Sequence, residues 1–124
     1  MALKGISEII VYVTDMAAAV EFYRDKLGLA IAWPPDKDDY SGEMWVSFQT
    51  GACSLALHGG LEPQEKQVQP RFGFKVEDIA AEREALLARG VECSELRSPG
   101  YGVHVVDCRD PEGNGFFLEY NEHH

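Results

Sequence analysis

A chain of 124 residues is long enough for one domain with a hydrophobic core and too short for two independent ones. Its 11 Lys and Arg against 21 Asp and Glu leave a net charge of −10, a field that repels phosphate backbones and anionic lipid, so nucleic acid and membrane surfaces are excluded as primary partners. No apolar run approaches the ~20 residues of a membrane span, and the opening MALKGISEII lacks the apolar stretch of a signal peptide, so a cytoplasmic protein is expected.

In chain order, residues 8–14 alternate strictly: Ile9, Val11 and Val13 on one face, Glu8, Ile10, Tyr12 and Thr14 on the other. Asp15 then caps a helix whose stripe is Met16, Val20, Tyr23 and Leu27, closed by Gly28. Three further strands are expected over about 30–33, 44–50 and 53–58, with PPDKDDYSGE as a polar loop. The stretch 59–70, GGLEPQEKQVQP, reads as a linker.

The second half repeats the first at an offset of 63 residues, which sets Val13 on Val76, Asp15 on Asp78, Ala17 on Ala80 and Ala18 on Ala81. Phe72, Phe74 and Val76 oppose Arg71, Gly73 and Lys75. A helix from Asp78 to Gly90 packs through Ile79, Leu86 and Leu87. Strands follow over about 91–96, 102–108 and 115–120, the last after the turn DPEGN. Each half is therefore βαβββ, with module one at about 5–58 and module two at about 71–121 of a single domain. A helix covers one face of each sheet. The second faces either enclose a cavity or pack as an ordinary α+β sandwich, and periodicity does not choose between them.

Three cysteines without CxxC spacing argue against a disulfide framework or a zinc cluster and read as small buried thiols. No Ser-His-Asp or Cys-His arrangement stands out, and no Gly-rich loop is built to cradle phosphate.

The segments VYVTDMAAAVEFYRDKLGL (11–29) and DCRDPEGN (107–114), with the repeat between halves, resemble the vicinal oxygen chelate superfamily, which holds glyoxalases, bleomycin-resistance proteins and extradiol dioxygenases. The resemblance covers about residues 5–122. It implies an α+β fold of paired βαβββ modules, curved mixed sheets around a cup-shaped cavity with helices outside, often within a dimer. The cup either belongs to one chain or forms by module exchange between two, and a homodimer is expected. In metal-dependent members four inward positions hold one divalent ion, which polarises substrate oxygens as a Lewis acid. Here those positions fall on Glu8, Ala56, Arg71 and Phe117. Only Glu8 offers a ligand, because Arg71 is a permanent cation without a lone pair.

The resemblance thus implies a protein without a metal cofactor, in which Arg71 takes the place of the ion, pairs with Glu8 and either grips a ligand anion or closes the cup. Tyr12, Trp45 and Phe117 supply rings for a flat or apolar guest, and Trp33 lies near the entrance. His58 and Glu119 occupy equivalent strands, two residues beyond Ala56 and Phe117. The expected ligand-binding set is Glu8, Tyr12, Trp45, His58, Arg71, Phe117 and Glu119, serving a small-molecule binding protein that sequesters or carries an aromatic or anionic organic ligand. The alternative is a metal-dependent lyase, isomerase or oxygenase with one divalent ion on a displaced set, Glu8, His58 and Glu119. His104 is a general base only if it faces inward, and strand alternation does not decide which way it faces.

Overall fold

The computed structural model describes residues 6–60, 69 and 71–123, so most of the expected linker lies outside the described residues. The chain divides between residues 69 and 70 into two compact units.

The first unit opens with strand β1 (Glu8–Tyr12), whose alternation buries Val11 and leaves Glu8, Ile10 and Tyr12 on the other face. Val13 continues the buried row. Helix α1 (Met16–Val20) starts where the Asp15 carboxylate accepts from the Ala18 amide at 3.1 Å. It then widens into a π-helical turn over Glu21–Lys26, with the Leu27 amide bonded to the Phe22 carbonyl five residues back at 3.0 Å. Two adjacent rings, Phe22 and Tyr23, are buried in this turn and meet edge to face at 5.1 Å. Leu27, expected on the packing stripe, is only half-buried. Gly28, at φ 77°, ends the helix in a conformation that suits a residue without Cβ.

Three strands follow: β2 (Ala30–Trp33), β3 (Trp45–Gln49) and β4 (Ser54–His58). They order as β1-β4-β3-β2, with β1 parallel to β4 and the other pairs antiparallel. Val46, Phe48, Leu55 and Leu57 form the buried layer, and Tyr23 reaches Phe48 at 6.1 Å between ring centroids. Each such side chain contributes about 1.5–3 kcal/mol through burial.

The second unit repeats the plan. Strand β5 (Phe72–Lys75) leads to helix α2 (Ile79–Ala88), which is capped by Asp78 accepting from the Ala81 amide at 3.1 Å. Ile79 and Leu86 are buried as the pattern requires. Leu87, placed with them by sequence, is 38% exposed, because it lies one residue past the packing stripe. Strands β6 (Glu92–Cys93), β7 (Arg97–Gly100), β8 (Val103–Arg109) and β9 (Gly115–Asn121) complete the unit. The order β5-β9-β8-β6 mirrors the first sheet, again with its first and last strands parallel. The repeat read in the sequence is thus a repeat of topology, and both sheets are mixed, as the α+β expectation requires.

Strand β7 has no counterpart in the first unit and was not expected. Its sequence RSPG has no alternation, and Pro99 offers no N–H to a ladder, so it pairs with β8 only at an irregular edge. The β8–β9 hairpin turns on Asp110, whose carboxylate accepts from the amides of Glu112 (3.0 Å) and Asn114 (2.8 Å) and from the Asn114 side-chain Nδ2 (2.9 Å). That turn sets which residues of β8 and β9 face one another.

Candidate functional site

The sheet faces away from the helices carry the chemistry, and each unit has its own. In the first unit the ladder sets Tyr12 opposite His58 and His58 opposite Trp45. The three rings form a row, with centroids 5.0 Å apart for Tyr12–His58 and 5.8 Å, edge on, for Trp45–His58. The His58 Nδ1 lies 2.8 Å from the Gly59 carbonyl, and since a carbonyl only accepts, Nδ1 is the donor of that bond. The backbone of Tyr12 is held by the Gln69 side chain, which accepts from its N–H at 2.7 Å and donates to its carbonyl at 3.0 Å. Tyr12 stays 41% exposed. The cross-strand register thus brings Tyr12, Trp45 and His58 of the expected set together on one face.

Glu8 lies on that face at the far end of the ladder, opposite Ser54, four residues from the Tyr12–His58 pair. At ~3.3 Å of rise per residue the two positions are separated by about 13 Å along the strands.

In the second unit the hairpin register sets Phe117 between Gly73 of β5 and Asp107 of β8. The Phe117 ring lies over Gly73, where a Cβ would come within 2.2 Å of ring atom Cε2, so this row needs glycine there. Arg71, just ahead of β5, donates from a terminal guanidinium nitrogen to Asp107 Oδ1, and its Cζ sits 5.3 Å from the Phe117 ring centroid. Such a cation over a ring face is attractive by about 0.5–1 kcal/mol at an exposed site. Arg97 of β7 donates to the same carboxylate, Nε to Oδ2 at 2.9 Å and a terminal nitrogen to Oδ1 at 3.4 Å. A recess of about 250 Å³ opens at Gly73 and Phe117, lined also by Phe74, Lys75, Glu119 and Asn121.

Sequence reasoning paired Arg71 with Glu8. In the structure Arg71 finds its carboxylate within its own unit, at Asp107. Asp107 and Arg97 were both missed. Counting back from the DPEGN turn sets Asp107 opposite Phe117, a signal that was present, whereas β7 carries no pattern that would have brought Arg97 in.

The hydrogen bond from Arg97 holds the Asp107 carboxyl below its ordinary value, with Arg71 acting the same way and partial burial opposing both. A depressed carboxyl contributes stability above its unfolded value, near ~3.9, and loses it as pH falls through the lower folded value. Its side chain is about a third exposed, so solvent screening limits the effect. Replacing Asp107 with Asn is expected to cost under ~1 kcal/mol near neutral pH, and the difference from the parent should shrink at an acid pH below the unfolded value, as the depressed carboxyl takes up its proton. Denaturant titrations at both pH values check this.

His104, left open by sequence, lies on the opposite face of β8 from Asp107, in the row of the buried Val106 and Cys108. It stacks on Tyr120 at 5.8 Å, and its Nδ1 and Nε2 lie 2.7 Å from Ser98 Oγ and 3.3 Å from Glu122 Oε2. It does not share a face with Phe117 and Glu119.

Comparison with known proteins adds the family. The model of the Glyoxalase/Bleomycin resistance protein/Dioxygenase superfamily matches residues 5–118. The chain belongs to this superfamily. An uncharacterized protein of Bacillus subtilis (strain 168), YraH, is 30% identical over 111 residues, covering 82% of this chain and 87% of its own. Among solved structures, TnmS3, an antibiotic-binding protein from Streptomyces sp. CB03234, has a TM-score of 0.78 at 23% identity, covering 98% of this chain and 99% of its own. Lactoylglutathione lyase from Agrobacterium tumefaciens has a TM-score of 0.75 at 24% identity, with coverage of 97% and 96%. At these identities the two structures speak for the fold alone.

The superfamily includes metal-dependent members, so the donor chemistry of the four positions carried over from it matters. Ala56 is fully buried and has no donor, Phe117 presents a ring, and Arg71 is a cation already bound to Asp107. Glu8 alone offers oxygen. These four do not make a metal site. Among the described residues, no group of three or more His, Cys, Asp or Glu is arranged to hold an ion.

Proposed function

We propose that the protein binds a small organic ligand carrying a flat ring and an anionic group, without a metal ion. The observation that carries this reading is the Arg71 guanidinium, which stacks on Phe117 at a position where metal-dependent relatives place a ligand. Two guanidiniums share the single Asp107 carboxylate, so one positive charge and several N–H donors are left for a ligand carboxylate. In the first unit the Tyr12–His58–Trp45 row offers ring faces and edges for stacking. The same fold is found in an antibiotic-binding protein among the structural neighbours.

The alternative, a metal-dependent enzyme using Glu8, His58 and Glu119, is disfavoured by the ladder of the first unit. Glu8 and His58 stand four residues apart on it, and bonds of ~2 Å to one ion leave no slack for such a separation.

A thermal-shift screen against aromatic carboxylates, aromatic antibiotics and thiol adducts, run in chelator, tests the reading. A ligand supplied at 100 times its Kd should add about 2.7 kcal/mol of stability. Silence across the panel in chelator, with a response only after a divalent ion is added, would favour the metal-dependent alternative.

A further inference from the structure

We propose that Cys93 and Cys108 are a modification site, closing to an intramolecular disulfide when the protein meets an oxidised low-molecular-weight thiol. The two residues are direct partners across the antiparallel β6–β8 ladder, and their sulfurs lie 3.7 Å apart. The adjoining pair, Ser94 and Asp107, carries the backbone bond, from the Ser94 amide to the Asp107 carbonyl at 2.7 Å. Because hydrogen-bonded and non-hydrogen-bonded pairs alternate, Cys93–Cys108 takes the non-hydrogen-bonded position. Cα atoms there stand about 4.5 Å apart, within the ~4.4–6.8 Å span that disulfides bridge. Thiols at such a position can join with little movement of the backbone. The sequence, with its odd cysteine count and no CxxC spacing, did not announce this pair.

The two thiols differ in access. Cys93 is half-buried, whereas Cys108 is 3% exposed. Burial pushes the Cys108 thiol up to about 12, and the neighbouring Cys93 pushes in the same direction. Cys93 therefore reacts first. Its thiolate attacks one sulfur of the external disulfide, the S–S bond breaks, and one thiolate leaves. Cys108 then attacks the Cys93 sulfur of the mixed disulfide, its proton passing to the second departing thiolate. Two protein thiols and one external disulfide become one protein disulfide and two external thiols. The new bond ties the short strand β6 to β8 one residue from Asp107.

The test uses the full chain as Cys53→Ser, which leaves this pair as the only thiols, incubated with oxidised glutathione at mildly alkaline pH. The expected result is the loss of both titratable thiols, a mass lower by two hydrogens with no glutathione retained, a monomer-sized band on a non-reducing gel, and linked Cys93 and Cys108 peptides. Adding Cys108→Ser should instead trap a stable glutathione adduct on Cys93. Retention of both thiols, a stable adduct on Cys93 while Cys108 is present, or links only between chains would each overturn the proposal. The parent chain, mapped by peptides under the same conditions, should show the same link, which guards against misfolding of the variant.

Discussion

Replacing Asp110 by alanine is expected to destabilise the protein by about 3–4 kcal/mol, the largest effect of any single substitution outside the apolar core. The residue is only 6% exposed, and its carboxylate holds three N–H groups in the DPEGN turn, two on the neighbouring Asn114. Hydrogen bonds to a charged acceptor are worth about 1.5–3 kcal/mol each, less than additively. Truncation also takes the carboxylate away from two N–H groups of Asn114, which is nearly as buried. Asp110→Asn should be milder, since its amide oxygen can still accept, although the charge is gone. Urea titration with an unchanged m-value checks both variants. A loss below ~1 kcal/mol for the alanine variant would mean that the turn is held by other contacts. The consequence reaches the site, because this turn sets the register that faces Asp107 with Phe117.

Arg71→Ala is expected to weaken binding of an anionic aromatic ligand by about 10- to 100-fold while leaving the denaturation midpoint nearly unchanged. The estimate is the worth of a charge-assisted hydrogen bond, about 1.5–3 kcal/mol, converted at 1.4 kcal/mol per decade. Stability should hardly move because the Arg71–Asp107 bridge is exposed, with about half of the Arg71 side chain in solvent, and such bridges are worth ~0–1 kcal/mol. Arg71→Lys keeps the charge but loses the planar fork and the ring contact, so its affinity should fall between the two. Calorimetric titration measures all three. An unchanged Kd for the alanine variant would remove Arg71 from the site.

Much of this architecture was legible because two signals repeat at fixed spacing. The alternation ending at Val13 and at Val76, each followed by a capping Asp, specifies strand then helix twice, and both caps form the same 3.1 Å bond. What was not legible depends on finer geometry. The stripe through Met16, Val20 and Tyr23 is compatible with either an α or a π turn, so the widening at Phe22 leaves no separate mark. Leu87 sits beside Leu86 in sequence, and a single residue of rotation exposes it. For the candidate site, the shared faces of Tyr12 with His58 and of Phe117 with Glu119 follow from the period of two. The partner of Arg71 follows from hairpin register and from the irregular strand β7, which alternation does not encode.

In the proposed function an organic guest is held by guanidinium and aromatic groups with no ion between them. Isothermal titration of chelator-treated protein with an aromatic carboxylate drawn from the screen, repeated after adding manganese, nickel or zinc, tests it most directly. Saturable binding with the same Kd is expected in every case. Binding that appears only after a divalent ion has been taken up in stoichiometric amount would contradict it.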